Sequence, residues 1–324
     1  MEVTKPLALD ESVKEIVNKL HTQNIILESI ANAGVIEPWS SFAEIQAIVR
    51  SGNASKVFTP GDQINVGYTA TNGSRYQMPF NVGHFGDVTL ADGSIKPGMF
   101  VQSHYATLES VQFDAPEPDN TRGSGGAKDS NVASYGYNRW SESGIRAWLN
   151  SNEAAGNWFG SYFEVNGVQT ARKAYDVAPD QLASVNGFLR GLDPAFVAIL
   201  GEVKVQTSCN TVTDGGVTDV TYDKIFLPSL EQMYGTPQAS GIEGDYWEYW
   251  KRRLGITSPA SYHPTIYENY KTYALEAHSS AQNVRLRSAN RGYSYYTWSV
   301  NSGGYLDGSY AHRAFRCAPA CVIV

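Results

Sequence analysis

The sequence predicts an α+β fold, and three observations carry that prediction. Short segments alternate apolar and polar residues, as at Ile64, Val66 and Tyr68, which is the period of a half-buried strand. Other segments place apolar residues three and four positions apart behind a capping residue, as amphipathic helices do. The 30 Gly and 14 Pro are typical of a chain with many turns between strands.

Composition excludes several classes of partner. A chain of 324 residues with 42% hydrophobic content can bury a substantial core. The net charge of −7 argues against binding nucleic acid, which requires basic patches. No apolar run approaches the ~20 residues of a membrane span, so we expect no membrane insertion. Residues 1–5 do not resemble a secretory signal, so we expect synthesis in a bacterial cytoplasm.

Residues 10–33 predict a helix that begins at the N-cap Asp10. Two interpretations of this helix stay open. It either packs on its own domain, or it belongs to a stem of residues 1–34 that attaches to other proteins and to copies of itself. Three heptads suit a coiled coil, and a homotrimer is the oligomer that we favour.

The segment from residue 40 to residue 131 predicts one helix followed by strands. Apolar spacing over 40–49 indicates a helix capped by Ser40 or Ser41. Strands are predicted at 64–68, 82–90, 99–101 and 111–113. A polar loop rich in Pro and Gly follows at 114–131; its similarities to a phosphate loop and to a calcium-dependent sugar triplet are both incomplete.

The second half predicts further short elements. A helix at 141–151 has Ser141 as its N-cap, and Asp193 caps another that begins with Pro194. A strand is expected at 203–207. A second strand at 223–227 leads into a helix that Ser229 caps. An aromatic segment at 241–274 precedes the last sheet.

No set of residues indicates catalysis, a cofactor or a metal. The six His are scattered, and none lies in a motif that binds metal or activates a nucleophile. We expect Asp219 and Asp223 to be turn or surface carboxylates. Three Cys give no disulfide framework, although Pro319 lies between Cys317 and Cys321 and leaves a bridge between them open. We therefore predict that the protein is not an enzyme.

The C-terminal stretch 284–324 has a regular frame and an irregular middle. Apolar positions are regular at its two ends and at Trp298 and Val300. Between them lie small, polar and aromatic residues with no clear period. This pattern predicts a fixed sheet that carries variable contact residues.

Five phrases together resemble a known family. They are Tyr135–Trp140, Ile145–Asn150, Phe226–Ser229, Leu286–Ala289 and the terminal run Cys317–Ile323. They resemble C-type-lectin-fold domains of gut bacteria and their phages, of the subgroup related to formylglycine-generating enzymes. The most similar pattern is that of the variable proteins of diversity-generating retroelements, which include phage tail receptor-binding proteins. The resemblance spans about residues 50–324.

The resemblance implies a ligand-binding domain at 35–324 with a variable region at about 285–324. In that family, reverse transcription randomises Asn codons, which then encode Tyr, Ser, Asp, His, Gly, Thr, Phe or Arg but never Lys, Glu, Gln, Met or Trp. Residues 293–315 contain none of those five types except Trp298, which belongs to the regular frame. The implied contact residues are Tyr293, Ser294, Tyr295, Tyr296, Thr297, Ser299, Tyr305, Asp307, Ser309, Tyr310, His312, Arg313 and Phe315.

The function implied is recognition of a protein or glycan ligand on a bacterial cell surface. The resemblance places this chain at a phage tail tip, and therefore in the virion. One alternative is a bacterial surface adhesin of the same fold. A second is an oxidase of the formylglycine-generating type, for which Cys317 and Cys321 are the candidate copper-handling cysteines.

Overall fold

The structure, a computed structural model, describes residues 40–118, 131–235, 242–254, 275–276 and 281–324. The predicted helix at 10–33, most of the Pro/Gly loop and part of the aromatic segment lie outside these residues. The described chain is mixed α+β, which confirms the predicted class. No helix in the described part of the chain has the length and hydropathy needed to span a membrane.

Fourteen strands and eight short α-helices lie within the described residues. The strands are β1 (Gln63–Thr69), β2 (Arg75–Thr89), β3 (Ile95–Ser103), β4 (Val111–Gln112), β5 (Tyr162–Val165), β6 (Val168–Ala171), β7 (Val203–Ser208), β8 (Thr218–Asp223), β9 (Ile225–Phe226), β10 (Val284–Ala289), β11 (Tyr296–Val300), β12 (Leu306–Tyr310), β13 (Ala314–Cys317) and β14 (Ala320–Ile323). The helices are α1 (Phe42–Arg50), α2 (Ala54–Val57), α3 (Val132–Tyr135), α4 (Gly144–Leu149), α5 (Phe188–Gly191), α6 (Pro194–Val197), α7 (Leu230–Tyr234) and α8 (Glu248–Leu254).

The first five-stranded sheet has the order β1-β2-β3-β14-β9. Ile64, Val66 and Tyr68 of β1 are buried, as their alternation predicts. The register of β2 against β3 shifts between Val82 and His84. A Cβ added to Gly83, at this irregularity, would lie 3.0 Å from Cε3 of Trp247. Glycine therefore lets the indole ring pack directly on the strand.

The second five-stranded sheet has the order β12-β11-β10-β13-β4 and contains most of the C-terminal stretch. All six residues of its central strand β10 are buried, including Arg285 and Arg287. The chain then leaves this sheet, and β14 pairs with β3 and β9 of the first sheet. Residues 284–324 are thus divided between two sheets and tie them together.

Capping residues mark the helix starts much as predicted. Ser41 caps α1, Asp193 caps α6, and Ser229 forms a capping box with Gln232 at α7. The prediction of Ser141 as an N-cap was wrong. Ser143 caps α4, and the hydroxyl of Ser141 instead donates to Asp219 at 2.5 Å.

The two C-terminal cysteines are free and fully buried. Cys317 ends β13 in the second sheet, whereas Cys321 lies on β14 in the first. The bridge that the sequence left open is therefore absent. Burial raises the pKa of the Cys317 thiol to about 12 and also raises that of Cys321, so neither presents a thiolate at neutral pH. This placement gives no support to the oxidase alternative.

The prediction that Asp219 and Asp223 are turn or surface carboxylates was wrong, because both are 1% exposed. Arg139 makes a bidentate contact with Asp219, through Nε at 2.6 Å and Nη2 at 2.8 Å. Asp223 accepts from Nε of Arg146 at 2.7 Å and from the indole of Trp140 at 3.0 Å. Burial is the largest single effect on Arg139 and opposes its charge, but the hydrogen bond to Asp219 together with the charges of Glu142 and Asp219 outweighs burial and raises the pKa of Arg139. The two carboxylates hold segment 139–146 on the β7–β8 hairpin.

We predict that Asp219→Ala destabilises the protein by about 3–5 kcal/mol, because it leaves the guanidinium of Arg139 buried without its main partner. Chemical denaturation measures the free energy of unfolding. The matched control is Asp307→Ala, which removes an exposed carboxylate and is expected to change stability by less than about 0.5 kcal/mol. Equal effects of the two substitutions would contradict this role of Asp219.

Candidate ligand-binding surface

Five tyrosine rings meet at one end of the second sheet, and we call Tyr135, Tyr293, Tyr295, Tyr296 and Tyr310 the tyrosine patch. Tyr310 is the central ring. It stacks on Tyr135 with the ring centroids 4.1 Å apart and the planes inclined by 13°. Tyr296 lies 4.7 Å from Tyr310, and Tyr293 meets Tyr296 edge-on at 5.2 Å. Tyr293 is the most open of the five, with 48% of its surface exposed.

Strand register explains why Tyr296 and Tyr310 meet. Tyr296 of β11 is the direct cross-strand partner of Tyr310 of β12, so both side chains leave the same face. The next pair, Thr297 and Ser309, points to the opposite face and is buried. A hydrogen bond from the Tyr296 hydroxyl to the Tyr310 side chain is the main cause that raises the pKa of Tyr296 to about 12, because it favours the protonated phenol.

His312 and Arg313 border the tyrosine patch. The imidazole of His312 lies 5.8 Å from Tyr310 and 5.7 Å from Tyr135. Its Nδ1 is buried without a hydrogen-bond partner among the described residues, and burial lowers its pKa. The exposed side chain of Arg313 places Cζ 5.2 Å from the centre of the Tyr310 ring. A neutral imidazole and a charged guanidinium thus flank the central ring.

The buried side chain of Asn138 holds the loop that carries Tyr293 and Tyr295. Its amide nitrogen donates to the carbonyl oxygens of Asn290, Tyr293 and Tyr296 at 3.2, 2.6 and 2.7 Å. Its own carbonyl oxygen accepts from the amide of Asn210 at 3.0 Å. One side chain therefore determines where the backbone of the loop lies.

Arg291 fastens the same loop to the segment after β7. Its Nη1 donates to the carbonyl oxygen of Cys209 at 3.2 Å. In return, the backbone N–H and the hydroxyl of Thr211 both donate to the carbonyl of Arg291 at 2.8 Å. Gly216 has a φ of 71°, and a Cβ there would lie 2.6 Å from Nη2 of Arg291. Glycine is therefore needed at 216 for the guanidinium to fit.

Arg285 lies on the opposite face of the sheet and is fully buried. Its Nη1 donates to Oγ1 of Thr297 at 2.5 Å, and its Nη2 donates to the carbonyls of Tyr310 and Arg313 at 3.0 and 2.8 Å. Burial lowers its pKa to about 9, which still leaves it protonated at neutral pH. The guanidinium lies 4.4 Å from the Phe315 ring. Arg285 therefore connects β10, β11 and β12 below the patch.

The structure divides the thirteen residues that the sequence implied as contacts into three groups. Tyr293, Tyr305, Asp307 and Arg313 are exposed, and Tyr295, Tyr296, Tyr310, His312 and Phe315 are partly exposed. Ser294, Thr297, Ser299 and Ser309 are buried, at 0%, 0%, 1% and 6% exposure. These last four cannot contact a ligand at the surface, because the strand period turns their side chains, or the loop backbone turns Ser294, into the protein.

Three of the accessible residues also lie apart from the patch. Tyr305 and Asp307 are at the other end of the β11–β12 hairpin, and Tyr305 is about 17 Å along the strand from Tyr310. Phe315 covers Arg285 instead of joining the tyrosine rings. Trp298, which the sequence assigned to the frame, is half-buried and packs against the core.

Tyr135 is the patch residue that sequence reasoning missed. It lies 158 positions before Tyr293, outside the variable region, at the C-terminal end of α3. The available signal was its place in the phrase Tyr135–Trp140, which was used only for the family resemblance. Within the described residues, no three His, Cys, Asp or Glu side chains group as a metal site requires.

We predict that Asn138→Ala lowers stability by roughly 2–4 kcal/mol, because it removes the hydrogen bonds to three loop carbonyls and takes away the acceptor of the buried Asn210 amide. Hydrogen exchange of the amides at 293–296 is expected to accelerate more than exchange in β2. Asn72→Ala, in an exposed turn where the side chain accepts only from Ser74, is the matched control. Unchanged exchange at 293–296 in the Asn138 variant would show that the loop keeps its conformation without Asn138.

We predict that Tyr310→Phe lowers the pKa of Tyr296 from about 12 toward the ordinary value near 10, because it removes the oxygen to which the neutral Tyr296 phenol donates. NMR titration of ring-labelled tyrosine measures this shift directly. Tyr305→Phe changes a ring outside the patch and is expected to leave the Tyr296 titration as it was. A Tyr296 curve that does not move in the Tyr310 variant would contradict the contact.

Comparison with known proteins gives one match. Residues 108–324 fit a family model described as a domain of unknown function (DUF6273). No curated protein and no solved structure matches the chain. The matched region begins just before β4 and contains the whole tyrosine patch together with Asn138, Arg285 and Arg291. Because this region is more than half of the chain, the protein belongs to the DUF6273 family.

Proposed function

We propose that this protein is a ligand-binding protein of C-type lectin fold that displays a diversified surface patch and recognises a receptor on a bacterial cell. The observation that carries the proposal is the tyrosine patch, a group of stacked and partly exposed rings on a firmly held backbone. On this proposal the protein is part of a phage tail tip, and residues 1–34 attach it to other tail proteins.

The composition of the patch supports a role in recognition. Tyrosine brings a large contact area and a polar tip while losing little conformational entropy, which is why binding loops of antibodies are rich in it. Large exposed side chains that cluster mark interaction sites more often than scattered ones do. Here Tyr293 is 48% exposed and is joined edge-on to Tyr295 and Tyr296.

The rigidity of the patch supports the same role. Asn138 and Arg285 bind backbone carbonyls of the loop and strands, and Arg291 ties the loop to the carbonyl of Cys209, all without using any patch side chain. A ligand that meets a preformed surface has less ordering entropy to overcome. The contact side chains can therefore change while the backbone that presents them stays in place.

The distribution of residue types supports diversification. The three supporting residues all lie outside 293–315, the segment in which every residue except those of the regular frame can be reached from an Asn codon. The patch residues Tyr293, Tyr295, Tyr296 and Tyr310 all lie inside it. Asn138, Arg285 and Arg291 thus lie outside the segment that carries these four tyrosines.

Binding of fluorescently labelled protein to a panel of intact gut bacteria tests the proposal. We expect binding to cells of at least one strain, and a loss of about tenfold or more in Tyr293→Ala/Tyr295→Ala, since clustered aromatic contacts dominate binding energy. The matched control is Tyr162→Ala, which removes a ring of 57% exposure from the distant strand β5.

Folding of each variant is checked by its thermal transition. Retained binding in the double variant, or an equal loss in the Tyr162 variant, would contradict the proposal that the tyrosine patch is the binding surface.

A further inference from the structure

The surroundings of the tyrosine patch hold more arginine than carboxylate. Arg139, Arg146 and Arg316 each contact a carboxylate at 2.6–2.7 Å elsewhere in the protein. By contrast, none of the described carboxylates lies within salt-bridge distance of Arg285, Arg291 or Arg313, the three arginines around the patch. In a chain with a net charge of −7, this is a local excess of positive charge.

Burial extends the reach of one of these charges. Arg285 is fully buried, its Nε has no hydrogen-bond partner among the described residues, and its other donors meet neutral oxygens. A charge inside protein is screened far less by water and salt than an exposed one. Arg313 is close enough to Arg285 to lower its pKa further, so the buried charge below the sheet and the exposed charge beside Tyr310 reinforce each other.

Three nearby carboxylates do not pair directly with these arginines. Glu243 is close enough to Arg291 to interact with its charge, but Glu243 is fully buried and accepts from Ser208 and Ser288. Asp180 affects His312 only weakly and already accepts from the amide of Gln112 at 3.1 Å. Asp307 lies toward the far end of the β11–β12 hairpin, and its Oδ1 accepts from the N–H of Gly308 at 2.8 Å. Arg313 is therefore an exposed cation beside the patch with which no described carboxylate pairs.

The arrangement of the rings favours an anionic partner as well. Tyr135, Tyr296 and Tyr310 lie face to face, with interplanar angles of 13° and 30°. Because ring faces cover each other, the parts left for a ligand are mainly ring edges and hydroxyl groups. Aromatic edges carry partial positive charge, and phenols donate hydrogen bonds.

The surface of the patch lacks the aliphatic side chains that form the core of a protein–protein interface. Between residues 290 and 315, the exposed and partly exposed positions hold Tyr, Arg, His, Asp, Asn, Ser, Gly, Ala, Phe315 and Trp298, whereas Val300 and Leu306 are buried. Hydroxyl-bearing rings beside guanidinium groups suit a partner rich in hydroxyl and carboxylate groups.

From these observations we infer that the tyrosine patch recognises carboxylate groups of an acidic glycan, which is the bacterial surface ligand of the proposed function. This inference rests on the proposed function. Arg313 is the exposed cation that pairs with a carboxylate, the tyrosine hydroxyls bind the sugar hydroxyls, and Arg285 adds its field from below.

A matched pair of probes tests the inference: an oligogalacturonate and its full methyl ester, which differ only in charge. Isothermal titration calorimetry is expected to show binding of the acid at least about tenfold tighter than binding of the ester. Raising the salt concentration from about 0.05 M to about 0.5 M is expected to weaken binding of the acid and to leave binding of the ester nearly unchanged.

Two matched variants distinguish the effect of Arg313 from the effect of the protein's net charge. Arg313→Gln is expected to weaken binding of the acid about tenfold, since it removes a charge-assisted hydrogen bond. Arg75→Gln removes the same charge from the exposed start of β2 and is expected to have no effect. Equal affinity for the acid and the ester, or no binding of either, would overturn the inference.

Poly-L-glutamate is the third probe, because it carries carboxylates on a peptide. Binding of poly-L-glutamate as tightly as oligogalacturonate would overturn the assignment to a glycan in favour of an acidic protein. These outcomes are distinct from failure of the proposed function, which the tyrosine variants on intact cells report. If the tyrosine variants lose cell binding but the unaltered protein binds the acid no more tightly than the ester, the proposed function stands and the acidic glycan is rejected as its ligand.

Discussion

The presentation of the candidate surface depends on one buried cation. Arg285 lies at the centre of the second sheet, where its guanidinium donates to the carbonyls of Ser309, Tyr310 and Arg313 and to the hydroxyl of Thr297. Burying a charge without an opposite charge is unfavourable unless hydrogen bonds replace the lost water. The four neutral oxygens provide those bonds, and each belongs to a strand or turn that carries the tyrosine patch.

This constraint explains why Thr297, Ser299 and Ser309, three of the four buried residues that the sequence implied as contacts, are small and polar. Thr297 supplies an oxygen to Arg285, and Ser309 and Ser299 share a hydrogen bond at 3.1 Å beside it. Larger side chains at these positions would displace the guanidinium from its acceptors. One face of β11 and β12 is therefore tied to the frame by Arg285, whereas the partly exposed positions of Tyr296 and Tyr310 on the other face can carry different side chains. Asn138 and Arg291 do for the loop at 290–296 what Arg285 does for the strands.

Local features of the fold were predictable from sequence, and long-range ones were not. The alternation at Ile64 and Val66 and the caps Ser41, Asp193 and Ser229 depend on a few neighbouring residues, so their patterns were sufficient. The N-cap moved from Ser141 to Ser143 because Asp219, 78 positions away, binds the Ser141 hydroxyl. The burial of Asp219 and Asp223, and the separation of Cys317 from Cys321 into two sheets, likewise depend on contacts that no local pattern contains.

The candidate surface likewise combines features that the sequence predicts with features that depend on long-range contacts. The aromatic residues of 293–310 were predicted as contacts from the irregular pattern of the segment and from the family resemblance, which implies variable residues there. Their partner Tyr135 was missed because only the tertiary fold brings α3 beside β12. The burial of Ser294, Thr297, Ser299 and Ser309 was missed because the sequence does not show which face of the strand, or which side of the loop, each residue occupies.

The central claim is that the frame holds its shape whatever side chains the patch carries. Two display libraries of this chain, scored by resistance to protease, measure that most directly. In one library the codons of Tyr293, Tyr295, Tyr296, Tyr310 and His312 are randomised, and in the other those of Ser294, Thr297, Ser299 and Ser309. We predict that most members of the first library fold and that most members of the second do not, because only the second disturbs buried groups around Arg285 and Asn138. Equal fractions of folded members in the two libraries would contradict the separation of frame and contact surface.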